Sequence, residues 1–139
     1  DLYSGTGSFG IECISRGAKK TTFVENDKHA LTILKKNIEQ LKIEKKSMVF
    51  QTKIFTFLNQ LNKINKYDII FLDPPFEENL FTEELKIIKN SNIFKKNNII
   101  IIHREDISKD SLSEIINIIT IKKYGRSKVI FGCFNLDNV

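Results

Sequence analysis

The chain has 139 residues, 41% hydrophobic and 28% charged, which suffices for one domain with a buried core and not comfortably for two. No apolar run reaches the roughly 18–20 residues of a membrane span, no signal peptide is legible, and Cys13 and Cys133 form neither a CxxC pair nor a Cys/His cluster. These features argue against a disulfide framework or structural metal and predict a reduced, cytoplasmic protein. The net charge of +5 and pI near 9.2 suit a polyanionic partner, although all but three of the 22 basic residues are lysine, a bias that AT-rich codon usage also produces.

Short β-branched or aromatic runs alternate with longer helical segments, which predicts an α/β domain with a mainly parallel sheet. Asp1 to Tyr3 reads as the end of a first strand. Ser8 to Arg16 reads as a short helix stopped by Gly17. Thr21 to Glu25 is a second strand. Asp27 can then N-cap a long helix that places Leu31, Leu34, Ile38 and Leu41 on one face and turns Lys35, Lys36 and Glu39 away. Met48 to Gln51 is a third strand, followed by a helix over Phe55 to Asn62.

Tyr67 to Leu72 is almost wholly apolar, as expected of a strand buried on both faces. Asn79 to Lys89 is predicted helical, Asn98 to His103 a fifth strand, and Ser111 to Ile116 a helix. Ile118 to Tyr124 and Lys128 to Phe134 form a closing antiparallel hairpin turned at Gly125-Arg126. The only methionine is Met48, and the chain opens inside a motif, so an upstream segment is expected.

That motif is Asp1-Leu2-Tyr3-Ser4-Gly5-Thr6-Gly7-Ser8-Phe9-Gly10, a glycine loop between a strand and a helix. Gly5 and Gly7 let the backbone turn tightly and approach a ligand, and the helix start offers free N–H groups. Ligands of open α/β sheets bind beyond the carboxyl ends of the strands. Glu25 ends the second strand about 20 residues on, where an acid can accept hydrogen bonds from both ribose hydroxyls of an adenosine. NAD and S-adenosylmethionine both carry adenosine, and both fit.

Asp73-Pro74-Pro75-Phe76 separates them. Two prolines stiffen the backbone and remove two N–H donors, leaving the Asp73 carboxylate and the Pro74 carbonyl as a row of acceptors. Such a row holds the two N–H groups of an exocyclic amine, and Phe76 offers a face for base stacking. Two acceptors orient the amine and stabilise the positive charge that grows as a methyl group arrives.

The order DLYSGTGSFGIE, FVEND, DIIFLDPPF resembles the bacterial RsmD-type family, the 16S rRNA guanine-N2 methyltransferases. The resemblance runs from Asp1 to about Phe134 and includes Ser15-Arg16-Gly17-Ala18 and Tyr124-Gly125-Arg126-Ser127. It implies a Rossmann-like class I methyltransferase fold, a mostly parallel seven-stranded sheet with a C-terminal antiparallel hairpin, here with the first strand largely missing. Residues 1–139 would form a single catalytic domain that is monomeric and metal-free. S-adenosyl-L-methionine is the implied cofactor, bound by Asp1, Tyr3, Gly5, Gly7, Glu25, Asn26, Lys53 and Ile54. Asp73, Pro74, Pro75 and Phe76 are the implied catalytic residues, and 16S rRNA or the assembling 30S subunit the implied partner.

The sequence departs from that pattern twice. Relatives carry an upstream basic hairpin and a helix that closes over the cofactor. Lys53 also stands where they offer an Asp to the adenine, which leaves backbone around Lys53 and Ile54 to hold it. DNA or other RNA base-amino methylation and protein glutamine-N5 methylation use related chemistry. A nicotinamide-dependent dehydrogenase would leave Asp73-Pro74-Pro75-Phe76 idle. His29 reads as a surface residue, and His103 as an ordinary strand-end residue.

Overall fold

The computed structural model describes residues 1–61, 65–76 and 80–135. The chain divides into two compact units, Asp1–Gln60 and Leu61–Val139.

In the first unit, helix α1 (Ser8–Ser15) leads to strand β1 (Thr21–Glu25) and helix α2 (Lys28–Gln40). A short 3-10 turn, Glu44–Lys46, then precedes strand β2 (Ser47–Gln51), and helix α3 (Ile54–Gln60) closes the unit. Strands β1 and β2 pair in parallel from Thr21 opposite Ser47 to Glu25 opposite Gln51, so β1–α2–β2 is a parallel crossover. The Asp27 carboxylate accepts the Ala30 N–H at 2.7 Å, a cap worth about 1 kcal/mol. The apolar stripe of α2 is buried as Leu31, Leu34 and Ile38, which share a core with Ile14 and Phe23. Leu41, expected on the same stripe, is 55% exposed because it lies just past the end of the helix.

The second unit contains strand β3 (Tyr67–Leu72), helix α4 (Phe81–Ser91) and strands β4 (Phe94–Glu105), β5 (Asn117–Tyr124) and β6 (Ser127–Cys133). Its sheet runs β3-β4-β6-β5. The β3–β4 pair is parallel, whereas β4–β6 and β5–β6 are antiparallel. Buried Asn98 donates from Nδ2 to the Phe134 carbonyl at 2.9 Å and accepts the Phe134 N–H at 2.8 Å, which pins the chain leaving β6 to β4.

The structure departs from the sequence expectations at several points. Among the described residues there is no seven-stranded, mostly parallel sheet, but a parallel pair and a mixed four-stranded sheet. Asp1–Tyr3 is the strand end expected: Leu2 bridges in parallel to Val24 of β1, and the chain turns at Tyr3 with φ +62°. Ser111–Ile116 makes turns, with Ile115 and Ile116 both donating to the Leu112 carbonyl. One turn fixes several residues for few hydrogen bonds, and β5 begins before a second can form. Strand β3 is not buried on both faces: Ile70 and Leu72 are buried while Ile69 is 45% exposed. The expected helix ends at Asn62 and Asn79 lie outside the described residues.

Candidate functional site

The glycine loop is shaped by three left-handed residues, Tyr3 (φ +62°), Gly5 (φ +55°) and Gly7 (φ +90°). Its turns are closed by the Ser4 N–H on the Val24 carbonyl at 3.0 Å and the Gly7 N–H on the Ser4 carbonyl at 2.8 Å. Side chains brace it from two directions. The Asp1 carboxylate accepts the Gly10 N–H at 3.0 Å, and Asn37 of α2 donates to the Thr6 carbonyl at 3.0 Å.

The glycines serve different ends. A methyl group at Gly7 would strike Leu34 of α2, and one at Gly10 would strike the Phe23 ring of β1. Both glycines are required by packing, because Leu34 and Phe23 are fully buried beside the loop. At Gly5 a methyl group would meet nothing within 4 Å. Open room where a side chain is missing therefore exists at Gly5, whereas at Gly7 Leu34 fills that space.

Glu25 sits at the carboxyl end of β1 beside this opening. Its Oε2 accepts the Gly5 N–H at 2.7 Å, and its Oε1 accepts the N–H groups of Asn26 and Asp27, each at 2.8 Å. A carboxylate has about four acceptor positions, so three backbone donors leave it room for another. The Thr52 N–H bonds the Glu25 carbonyl at 3.2 Å and fixes the end of β2 alongside.

Gly5, Glu25 and Asn26 are thus brought together. Asp1 turns its carboxylate into the loop as a brace. Lys53 is exposed and its carbonyl accepts the Phe57 N–H in the first turn of α3, while the Ile54 side chain is buried. No hydrogen bond among the described residues joins either of their side chains to Glu25.

In the second unit, β3 ends at Leu72 and the chain turns through Asp73-Pro74-Pro75-Phe76. Pro74 is fully buried, whereas Asp73, Pro75 and Phe76 are exposed. The Asp73 Oδ1 lies 2.8 Å from the His103 Nδ1 of β4. Among the described residues, Asp73 Oδ2 and the Pro74 carbonyl carry no hydrogen bond. The Phe76 ring, 47% exposed, meets the His103 ring edge-on at 5.9 Å between centroids.

Arg104, next to His103, holds the turn from the opposite face of β4. Its guanidinium donates to the carbonyls of Pro75 at 3.3 Å and Phe76 at 3.4 Å. Asp110 grips it through two oxygens, at 3.0 and 3.4 Å, and the Phe81 ring lies 4.4 Å away. A buried charge needs such partners, and the Arg104 side chain is only 3% exposed.

The sequence marks His103 only as a strand-end residue and gives Arg104 no role. The signal was the period of two along β4, which buries Ile100, Ile102 and Arg104 and turns His103 to the other face. An arginine in register with core isoleucines demands nearby carbonyls and a carboxylate. Pairing of Leu72 with Ile102 then sets Asp73 beside His103.

Comparison with known proteins gives a consistent set of relatives. The family model described as conserved hypothetical protein 95 matches residues 1–133. A ribosomal RNA small subunit methyltransferase D of Haemophilus influenzae is 38% identical over 106 residues, 76% of this chain and 55% of that protein. The protein of the same name from Buchnera aphidicola subsp. Baizongia pistaciae is 32% identical over 99% of this chain and 69% of its own length. The chain thus spans little more than half of some curated relatives it matches. A crystal structure of a Haemophilus influenzae methylase superposes with a TM-score of 0.86 at 32% identity, covering 97% of this chain and 84% of that one. An Escherichia coli methyltransferase structure, 24% identical with a TM-score of 0.84, shares the fold over 99% of this chain and 75% of its own.

Proposed function

This chain belongs to the conserved hypothetical protein 95 family, with the ribosomal RNA small subunit methyltransferases D, and from that premise we propose that it transfers a methyl group from S-adenosylmethionine to the N2 amino group of a guanine in 16S rRNA. The two units then serve one catalytic domain. The observation that carries the reading is the Asp73 carboxylate, held through one oxygen by His103 with the other free, at the head of a turn anchored by Arg104.

The residues of the first unit fit the cofactor. The opening at Gly5 admits a ligand against the backbone, and Glu25 keeps acceptor capacity for ribose hydroxyls beside it. Asn26 is exposed next to Glu25. Lys53 precedes α3 and Ile54 begins it, where backbone rather than a carboxylate would meet the adenine. S-adenosylmethionine supplies an electrophilic methyl group on a sulfonium.

In the second unit, Asp73 Oδ2 and the Pro74 carbonyl accept the two N–H groups of the amine, and Phe76 stacks on the base. Orienting a nucleophile in this way can contribute about 7–11 kcal/mol to lowering a barrier. A fixed carboxylate beside the nitrogen also stabilises its growing positive charge before a proton leaves.

The test is methyl transfer from labelled S-adenosylmethionine to naked 16S rRNA, free 30S subunits and DNA, followed by nucleoside analysis. N2-methylguanosine from either RNA substrate is expected. Label confined to DNA, to another base position or to protein would overturn the assignment.

A further inference from the structure

We propose that His103 is a positioning residue for Asp73, fixing the carboxylate so that a single oxygen faces the substrate amine. This inference rests on the amine-methylation reading and adds to it a residue that the D-P-P-F motif does not contain.

The argument begins with the 2.8 Å contact between His103 Nδ1 and Asp73 Oδ1. A carboxylate oxygen only accepts, so the hydrogen bond places the imidazole proton on Nδ1. Asp73 is otherwise free to rotate: its side chain is 46% exposed, and among the described residues no other group bonds it. Two prolines hold the backbone after it but do nothing for the carboxylate torsion. His103 supplies that restraint from a regular strand, where β6 pairs with it through Val129. Rigid elements place functional groups more accurately than loops do.

The restraint also sorts the oxygens. With Oδ1 engaged, Oδ2 is left for the amine. An amine bound at random to either oxygen would sit in two places relative to the arriving methyl group, and a misplacement of about 1 Å can cost 100-fold in rate. The edge contact from the His103 ring to Phe76 extends the same restraint to the stacking face. One imidazole therefore orders both the acceptor and the platform.

Two measurements on the full chain test this. The chain has two histidines, so the nitrogen-15 spectrum of the imidazoles is simple, and exposed His29 serves as the reference. His103 is expected as the Nδ1–H tautomer, and Asp73→Ala should abolish that preference without changing His29. A His103 that matches His29 and ignores Asp73→Ala overturns the proposal.

The second measurement is single-turnover methyl transfer at saturating RNA and cofactor. His103→Leu should slow it about 10- to 100-fold with cofactor affinity unchanged and, since its edge contact to Phe76 goes too, only a small loss of RNA affinity. His103→Asn places an amide N–H near the Nδ1 position and should restore most of the rate. Equal rates with His, Asn and Leu at position 103 overturn this inference alone. So does a Leu variant whose loss lies wholly in RNA affinity, and so does an Asn variant as slow as Leu. A wild-type chain that transfers no methyl group to any base amine overturns the functional reading and this inference with it.

Discussion

Glu25 Oε2 accepts the Gly5 N–H at 2.7 Å, so the acid expected to hold a ribose also closes the loop that makes room for it. Its other oxygen takes the N–H groups of Asn26 and Asp27. Glu25 thus joins the glycine loop to the start of α2. Glu25→Ala is expected to weaken S-adenosylhomocysteine binding by about 1.5–3 kcal/mol, the range for hydrogen bonds to a charged group, and to lower the melting temperature as well. Calorimetry and thermal melts separate the two effects. NAD is not expected to bind; tight NAD binding would remove the basis for the cofactor assignment.

Gly5→Ala and Gly10→Ala should fail in different ways. At Gly5 the added methyl group meets no protein atom, but the left-handed backbone costs about 1–2 kcal/mol and the ligand's room is reduced. Cofactor affinity should fall more than stability. At Gly10 the methyl group enters the buried Phe23 ring, and overpacking of this kind costs about 1–3 kcal/mol. Stability should fall there while the folded protein still binds cofactor. Calorimetric titration below each variant's melting point, compared with urea unfolding, would expose a reversed order.

Asp73→Ala should lower the single-turnover rate about 10²–10³-fold, the scale for loss of one preorganised partner, and leave cofactor affinity nearly unchanged. Asp73→Asn retains an acceptor oxygen without the charge and should lose less. Phe76→Ala should weaken RNA binding instead, through lost stacking worth about 1–3 kcal/mol. Near-normal transfer by Asp73→Ala would reduce the D-P-P-F turn to a structural bend.

Arg104 and Asp110 form a buried pair, with side chains 3% and 15% exposed. Asp110→Ala strands the guanidinium in the interior, and removing one partner of such a pair costs about 3–5 kcal/mol. The Arg104→Leu/Asp110→Leu double variant should be more stable than Asp110→Ala, because no charge is left unpaired. It should still transfer methyl groups poorly, since the carbonyls of Pro75 and Phe76 have lost their donor. Urea-unfolding energies of Arg104→Leu and Asp110→Leu that add up to that of the double variant would show that the pair is not coupled.

Most of the order of elements was legible in the sequence, because local physics sets it. The 3.6-residue spacing of Leu31, Leu34 and Ile38, the Asp27 cap and the alternation along β4 each act within a few residues. The same holds for the glycine loop and the D-P-P-F turn, whose chemistry is written in consecutive positions. Pairing is not local. The antiparallel β5–β6 hairpin was legible from its tight turn, but whether Asp1–Tyr3 extends a ladder or makes one bridge, and that β6 also pairs with β4, depends on partners far along the chain.

The site divides along the same line. Sequence alone determined which residue types are available: an acid at the end of β1, a carboxylate before two prolines and a phenylalanine after them. Tertiary structure decided what each of them touches. Gly7 and Gly10 look alike to Gly5 in sequence, yet packing against Leu34 and Phe23 leaves open room at Gly5. His103 and Arg104 are 30 and 28–29 positions from the groups they bond, and strand register alone brings them there. A hydrogen bond needs atoms within about 3 Å, and only the folded chain sets that distance.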